Sequence, residues 1–166
     1  MNLFRIITSN YIINVGFVAW TSAQILKLFF TMLLTRKIVL ERLVGAGGMP
    51  SSHSALTSSV AIAMARKMGF SSPLFGLAII FAAVVMYDAM GVRRAAGEQA
   101  KVLNKMIFEF PIFKLKKGSG LVEVVDDDED EPLIPKELKE FLGHTPIEVL
   151  GGVLLGILVS MFMPVI

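Results

Sequence analysis

Residues 11–34 have the sequence YIINVGFVAWTSAQILKLFFTMLL, a long apolar run broken only by Asn14, Gln24 and Lys27. An α-helix of about 20 residues crosses the roughly 30 Å hydrocarbon core of a bilayer. The run therefore predicts a transmembrane helix. A cleavable signal peptide is the alternative, with residues 21–23 as its small-residue cleavage site, but the apolar run continues well past that point.

The composition of the whole chain also favours a membrane protein. Of its 166 residues, 54% are hydrophobic and 18% are charged, whereas soluble domains carry about 25% charged residues. A soluble protein of this composition would expose large apolar patches. The chain has no cysteine, which excludes a disulfide scaffold and any cysteine metal site. A formal net charge of +2 gives little support for nucleic-acid binding, and we expect none.

Three further segments are apolar enough to continue the pattern. The second segment is rich in small residues, and the last contains Gly152 and Gly156, a small-xxx-small pair typical of a helix-packing face. The sequence thus predicts an all-α, polytopic membrane helical bundle that forms a single domain over residues 1–166. About four transmembrane spans are expected, at 11–34, 54–68, 74–92 and 147–166.

Two helix starts are marked by capping residues. Ser72 precedes Pro73, which suits an N-cap followed by the first helical position. Thr145 precedes Pro146 in the same way, and Glu148 completes the spacing of a capping box.

The segment between the third and fourth spans contains an amphipathic stretch and an acidic loop. One helical face groups Val102, Leu103, Met106, Ile107 and Phe110, and the other groups Lys101, Asn104 and Lys105. This pattern is typical of an interfacial helix on the membrane surface. Residues 111–135 contain an acidic run and are predicted to be a solvated loop.

The distribution of positive charge predicts the orientation. Most of the 16 Lys and Arg residues fall within 36–52 or 93–145, whereas Arg5, Arg66 and Lys67 belong to the other side of the predicted bundle. An excess of Lys and Arg in connecting segments marks the cytoplasmic side. We therefore expect a multi-pass protein of the cell membrane with both termini facing away from the cytoplasm.

The chain has two histidines, His53 and His144, and the predicted topology places both on the cytoplasmic side. Each stands at the start of a helix, where unpaired backbone N–H groups bind phosphate and lower the pKa of an imidazole. His53 follows a loop that contains Gly48, Ser51 and Ser52. The alternative is structural, because Ser51 and Ser52 could be ordinary caps.

Polar residues inside the apolar runs strengthen the case for a site. Lys27 lies deep in the first span, where a charge is costly, and Gln24 is one turn away on the same face. Asp88 lies near the cytoplasmic end of the third span, where it could pair with Lys27 or with Arg93 or Arg94. An ion pair that only holds helices together is the structural alternative.

Three motifs together carry a resemblance. They are Gly-Gly-Met-Pro-Ser-Ser-His-Ser at 47–54, Asp-Ala-Met-Gly-Val-Arg-Arg at 88–94 continuing to Gln99-Ala100, and Leu-Gly-His-Thr-Pro-Ile-Glu-Val at 142–149. The set resembles the small, divergent membrane branch of the type 2 phosphatidic acid phosphatase and vanadium haloperoxidase superfamily. The similarity extends over most of the chain, from residue 24 to residue 152.

The resemblance implies a catalytic arrangement that needs no metal or cofactor. His144 would be the nucleophile that attacks phosphorus, Glu148 would orient it, and His53 would protonate the leaving oxygen. Lys27, Arg93 and Arg94 would hold the phosphoryl oxygens, and Ser51 and Ser52 would donate to the phosphate. The other residues predicted to line the substrate-binding site are Gly48, Gln24 and Asp88. Leu138 stands where the wider family has an arginine, so Arg36, Arg93 and Arg94 are the candidates to complete the phosphate clamp.

The expected function is that of a membrane lipid-phosphate phosphatase, acting through a phosphohistidine at the cytoplasmic face. A polyprenyl phosphate, a polyprenyl diphosphate or a phosphatidate would be the substrate, and a homo-oligomer is possible. The first alternative is a non-catalytic binder or transporter of an anionic phospholipid or polyprenyl phosphate. A second is a divalent metal site built from His144, Glu148, His53 and Asp88, which the shortage of ligands disfavours.

Overall fold

The computed structural model describes residues 9–35, 48–109, 138 and 142–165. The described residues form five helices and no strand, which confirms the all-α fold class. The helices are α1 (Tyr11–Thr35), α2 (Ser52–Met68), α3 (Pro73–Met90), α4 (Val92–Glu109) and α5 (Pro146–Phe162). The predicted acidic loop at 111–135 lies outside the described residues.

Helix α2 occupies the centre of the bundle and packs against α1, α3 and α5. Its sequence explains this position, because a helix of serines and alanines lets neighbouring backbones approach closely. Its buried residues are almost all small, namely Ser52, Ser54, Ala55, Thr57, Ser58, Ser59, Ala61, Ala63 and Ala65. Helices α1 and α3 cover it and expose large apolar side chains on their outer faces.

The contact between α2 and α5 depends on two glycines. A Cβ atom at Gly152 would lie against the carbonyl oxygen of Ser51 and 2.9 Å from Ser54 Cβ. At Gly156 it would overlap Ala55 O and lie 3.0 Å from the backbone nitrogen of Ser59. The predicted small-xxx-small face is confirmed as the surface on which α5 meets α2.

The predicted caps are confirmed. Ser72 accepts a hydrogen bond from Leu74 N, with Pro73 at the first position of α3. Thr145 and Glu148 form a complete capping box at the start of α5, with Pro146 at its first position. These starts are encoded locally, because each bond joins residues two or three apart.

Two helical stretches are long and apolar enough to cross a membrane, Tyr11–Leu33 and Pro73–Met106. The prediction of about four spans is therefore higher than the two supported by helix length and composition. Helices α2 and α5 have 17 residues each, or about 26 Å, which is near the lower limit for a span. In addition, α2 carries many hydroxyl groups and is enclosed by other helices.

The bundle has two chemically different ends. At one end, which we call the Arg66 end, the Arg66 guanidinium donates to Tyr11 OH at 3.2 Å and to Met163 O at 2.8 Å. It thereby ties the start of α1 to the end of α5. The opposite end of α2 carries His53, and α5 begins there with His144 just before it. We call this the histidine end.

The amphipathic interpretation of α4 needs one correction. Val102, Leu103 and Met106 are exposed, in agreement with an unburied apolar face. Asn104, however, is buried with 5% of its surface exposed and does not share the solvated face of Lys101. Its side chain is hydrogen-bonded to the backbone of a distant residue, a contact that helical spacing does not reveal.

Candidate active site

The candidate nucleophile is held at the start of α5 by a carboxylate with two partners. His144 is 4% exposed, and its Nδ1 lies 3.1 Å from Glu148 Oε2. The same Oε2 accepts a hydrogen bond of 3.0 Å from Thr145 N. The sequence left two roles open for Glu148, a cap and an orienting acid. In the structure a single oxygen atom, Glu148 Oε2, makes the contact that each of these two roles requires.

This contact also favours one tautomer of the imidazole. An ionised carboxylate only accepts hydrogen bonds, so Nδ1 of a neutral His144 carries the proton. The lone pair is then on Nε2, which is the nitrogen left to act as a nucleophile.

The starts of α2 and α5 are joined by a backbone hydrogen bond. Ser51 N donates to Glu148 O at 2.9 Å. Ser51 is also the N-cap of α2, and its Oγ lies 3.0 Å from the Oγ of Ser54, which donates to it. Because Ser52 begins α2 and His53 follows, this bond brings the two histidine-bearing helix starts together.

The electrostatics of the two rings reflect their closeness. His53 is an exposed residue, and the partial burial of its ring is the main cause that lowers its pKa; the charges of Arg93, His144 and Lys27 lower it further, while Asp88 opposes them. Burial also lowers the pKa of His144, against the opposing effect of Glu148. Lys27 and Arg93 add to the lowering at His144. Both histidines therefore lie within the field of the same two cations.

Lys27 reaches this region from α1. It is only 2% exposed, and its aliphatic chain lies beside Gly48, where a Cβ atom would be 3.3 Å from Lys27 Cε. Gly48 has a φ of 90°, a conformation that favours glycine. Gln24 is half-buried one turn earlier on the same helix.

The junction of α3 and α4 supplies the remaining charges. Asp88 forms an ion pair with Arg93, which is one of the three pairings expected from the sequence. Arg94 contributes its backbone, because a Cβ atom at Gly143 would lie 2.6 Å from Arg94 Cα. Gly143 has a φ of 84°, so glycine is required there for both reasons.

The predicted site residues thus fall into two groups. Those whose charges or hydrogen bonds act on the histidines are Lys27, Asp88, Arg93 and Glu148. Those that belong to the surrounding backbone are Gly48, Ser51, Ser52 and Arg94, while Gln24 is half-buried on α1, one turn before Lys27. Arg36 lies outside the described residues.

Sequence reasoning missed two contacts that fix the backbone at His144, the candidate nucleophile. The backbone N–H of His144 donates to Ala89 O at 2.9 Å, which ties it to the end of α3. The second contact is that of Gly143 with the backbone of Arg94. A glycine directly before a histidine is the sequence signal that could have indicated this contact. A carbonyl such as that of Ala89 leaves no signal in a sequence.

The alternative of a metal site finds no support in the part of the chain that the structure describes. Within 9–35, 48–109, 138 and 142–165, no group of three or more His, Asp or Glu side chains could hold a metal ion. Glu148 is engaged by Thr145 and His144, and Asp88 by Arg93.

Comparison with known proteins shows which family the chain belongs to. The chain is similar to an uncharacterized membrane protein, YuiD, of Bacillus subtilis (strain 168), with 40% identity over 139 residues that cover 84% of each chain. No solved structure matches. Residues 8–159 match the sequence model of the Divergent PAP2 family, which agrees with the resemblance found in the three motifs. This all-helical membrane bundle is a member of the divergent PAP2 family.

Proposed function

We propose that the protein is a membrane lipid-phosphate phosphatase that works through a phosphohistidine intermediate. The observation that carries this proposal is the contact of 3.1 Å between His144 Nδ1 and Glu148 Oε2, made beside a second histidine. A buried imidazole that is oriented by a carboxylate, near a second histidine and in the field of two cations, is an arrangement suited to phosphoryl transfer. Membership of the divergent PAP2 family supports the same reaction class.

In the first step, His144 Nε2 attacks the phosphorus atom of a phosphate ester or diphosphate. The P–N bond forms as the bond from phosphorus to the leaving oxygen breaks. His53, in its protonated form, gives its proton to that oxygen, which leaves as an alcohol or a lipid phosphate. General acid catalysis of this kind contributes about 10²–10⁴-fold.

In the second step, water attacks the phosphorus atom of phospho-His144. His53 is now neutral and accepts a proton from this water, while the P–N bond breaks and His144 Nε2 regains its lone pair. Inorganic phosphate is released and both rings return to their starting states. Dividing the displacement in this way replaces one difficult step with two easier ones.

Lys27 and Arg93 have the role of the phosphate clamp. Their charges act on both histidines, so a phosphoryl group between the rings would lie in the field of both cations. Such cations stabilise the charge on the equatorial oxygens in the transition state. A bound dianion also offsets their charges and so raises the pKa of His53, which favours the protonated acid.

The substrate class follows from the surroundings of the site. Helices α1 and α3 expose broad apolar faces on the outside of the same bundle, so an amphiphile in the bilayer can bring its phosphate to the histidine end. We propose a polyprenyl phosphate, a polyprenyl diphosphate or a phosphatidate, in a multi-pass protein with its site at the cytoplasmic face.

The test is phosphate release by the purified protein in detergent with EDTA present. The substrates are dioleoyl phosphatidate, farnesyl phosphate and farnesyl diphosphate. We expect release from at least one of them and none from the His144→Ala variant. Full activity in His144→Ala would overturn the assignment. Binding of these lipids without any phosphate release would instead support a non-catalytic binder or transporter.

A further inference from the structure

Helix α4 has a buried face that no catalytic role explains. Its residues divide into three groups around the helix axis. The buried group is Gly97, Ala100 and Asn104, the exposed apolar group is Val92, Val102, Leu103 and Met106, and the exposed charged group is Arg94, Glu98, Lys101 and Lys105. A helix that lay only on a membrane surface would have the exposed apolar group and the exposed charged group, and no buried group.

Asn104 makes two hydrogen bonds to the backbone of one residue. Its Nδ2 donates to Leu138 O at 2.8 Å, and its Oδ1 accepts from Leu138 N at 2.9 Å. The carboxamide of Asn presents a donor and an acceptor side by side, which suits this pair of contacts. The two residues are 34 positions apart in the chain, so the contact fixes a distant segment onto α4.

That segment leads directly to the candidate nucleophile. Gly143 packs against the backbone of Arg94, and His144 N donates to Ala89 O at 2.9 Å. Asn104 and Arg94 are about 15 Å apart along α4. The chain before His144 is therefore held against the same helix at two separated points, at Leu138 and at Gly143.

We propose that Asn104 is a positioning residue for His144. This inference rests on the proposed function, since it concerns the placement of the nucleophile. Asn104 does not touch the reacting atoms. It fixes Leu138, six positions before His144 in the chain, and so limits the positions that the imidazole can take. Displacing a reacting group by about 1 Å lowers a rate by as much as about 10²-fold.

The first test uses Asn104→Ala, with Gln99→Ala as the matched control. Gln99 is an exposed carboxamide on the same helix. We expect Asn104→Ala to lower kcat for dioleoyl phosphatidate or farnesyl diphosphate by about 10- to 100-fold, with little change in KM. The active fraction is measured from the phosphoenzyme burst. A lower active fraction with unchanged kcat per active molecule would make Asn104 merely structural and overturn the proposal.

The second variant, Asn104→Asp, keeps the shape of the side chain and adds a pH dependence. As a carboxylate it can still accept from Leu138 N but has no donor for Leu138 O. When protonated, it again has one donor and one acceptor. We expect its kcat, divided by that of the wild type at the same pH, to rise as pH falls. A ratio that is low and constant with pH would contradict the positioning role of the two hydrogen bonds between Asn104 and Leu138.

A third measurement does not depend on turnover. Diethyl pyrocarbonate modifies accessible imidazoles, so the buried His144 reacts slowly and the exposed His53 is an internal reference. In Asn104→Ala we expect the ratio of modification at His144 to that at His53 to rise several-fold, and in Gln99→Ala to stay unchanged. If no lipid releases phosphate but the ratio rises, the proposed function fails and the positioning role stands. An unchanged ratio in Asn104→Ala overturns the positioning role.

Discussion

One oxygen atom of Glu148 makes two contacts, a helix cap and a contact with a histidine ring, and the sequence alone does not show which of them the residue makes. Oε2 completes the cap of α5 through Thr145 N and also meets Nδ1 of His144. The rigid first turn of the helix thus sets the position of the carboxylate that orients the imidazole. The capping contact spans three positions, from Thr145 to Glu148, and the contact with the imidazole spans four, from His144 to Glu148, so both fit within one turn of helix.

Replacing this carboxylate tests its orienting role. Glu148→Gln retains the shape, but its amide can also donate to Nδ1, which moves the proton to Nε2 and removes the nucleophilic lone pair. We expect kcat to fall by up to about 10⁴-fold, the scale seen when an orienting carboxylate becomes an amide. The assay is phosphate release, and Glu98→Gln, an exposed carboxylate on α4, is the control. Equal activity of the two variants would contradict the role of Glu148.

The charge of Arg93 leads to a prediction about pH. In the proposed mechanism His53 acts as an acid only when it is protonated, so kcat/KM falls as pH rises through the pKa of His53 in the free enzyme. Arg93 lowers that pKa. Its removal in Arg93→Gln therefore moves the alkaline limb of the profile to higher pH, while KM rises because a phosphate ligand is lost. Lys101→Gln removes an exposed charge and should leave the limb in place. An alkaline limb that stays in place in Arg93→Gln would show that this guanidinium does not act on His53.

At the scale of the helices, α2 and α5 form the support of the site. Their close contact through Gly152 and Gly156 allows Ser51 N to reach Glu148 O, which joins the two histidine-bearing helix starts. Packing and chemistry are therefore linked, and a change in the helix contact should alter activity as well as stability.

Gly152→Ala tests this link. The added Cβ would overlap Ser51 O, so we expect unfolding to become easier by about 1–3 kcal/mol, together with a loss of activity. Thermal unfolding in detergent and phosphate release measure the two effects. Gly76→Ala on α3 is the control, because nothing lies within 4 Å of its added Cβ, and it should stabilise the helix by about 0.5–1 kcal/mol. Equal stability of both variants would refute the close contact.

The features that the sequence predicted are those with a local origin. The caps at Ser72 and Thr145 depend on bonds within one turn, and the packing face of Gly152 depends on helical spacing. Contacts between distant segments were not predictable, such as Asn104 with Leu138 or His144 N with Ala89 O. The predicted number of spans, about four, exceeds the two that helix length and composition support, because α2 and α5 are short and the composition of α2 reflects burial among helices as well as any contact with lipid.

At the scale of the whole molecule, the Arg66 end and the histidine end should face opposite sides of the membrane. The absence of cysteine makes this testable with single substitutions. We expect a membrane-impermeant maleimide to label Ser71→Cys, between α2 and α3, in intact cells. The same reagent should label Lys101→Cys on α4 only after the membrane has been permeabilised. Labelling of both positions from the same side would contradict the predicted orientation.

The most direct test of the account is to identify the phosphorylated residue. With 4-nitrophenyl phosphate, the leaving group departs without a proton, whereas in the proposed mechanism hydrolysis of phospho-His144 still needs His53 as the base. The His53→Ala variant should therefore accumulate an acid-labile phosphate, which mass spectrometry should locate on His144. A phosphate on any other residue, or turnover of this substrate at the wild-type rate in His144→Ala, would contradict the central claim.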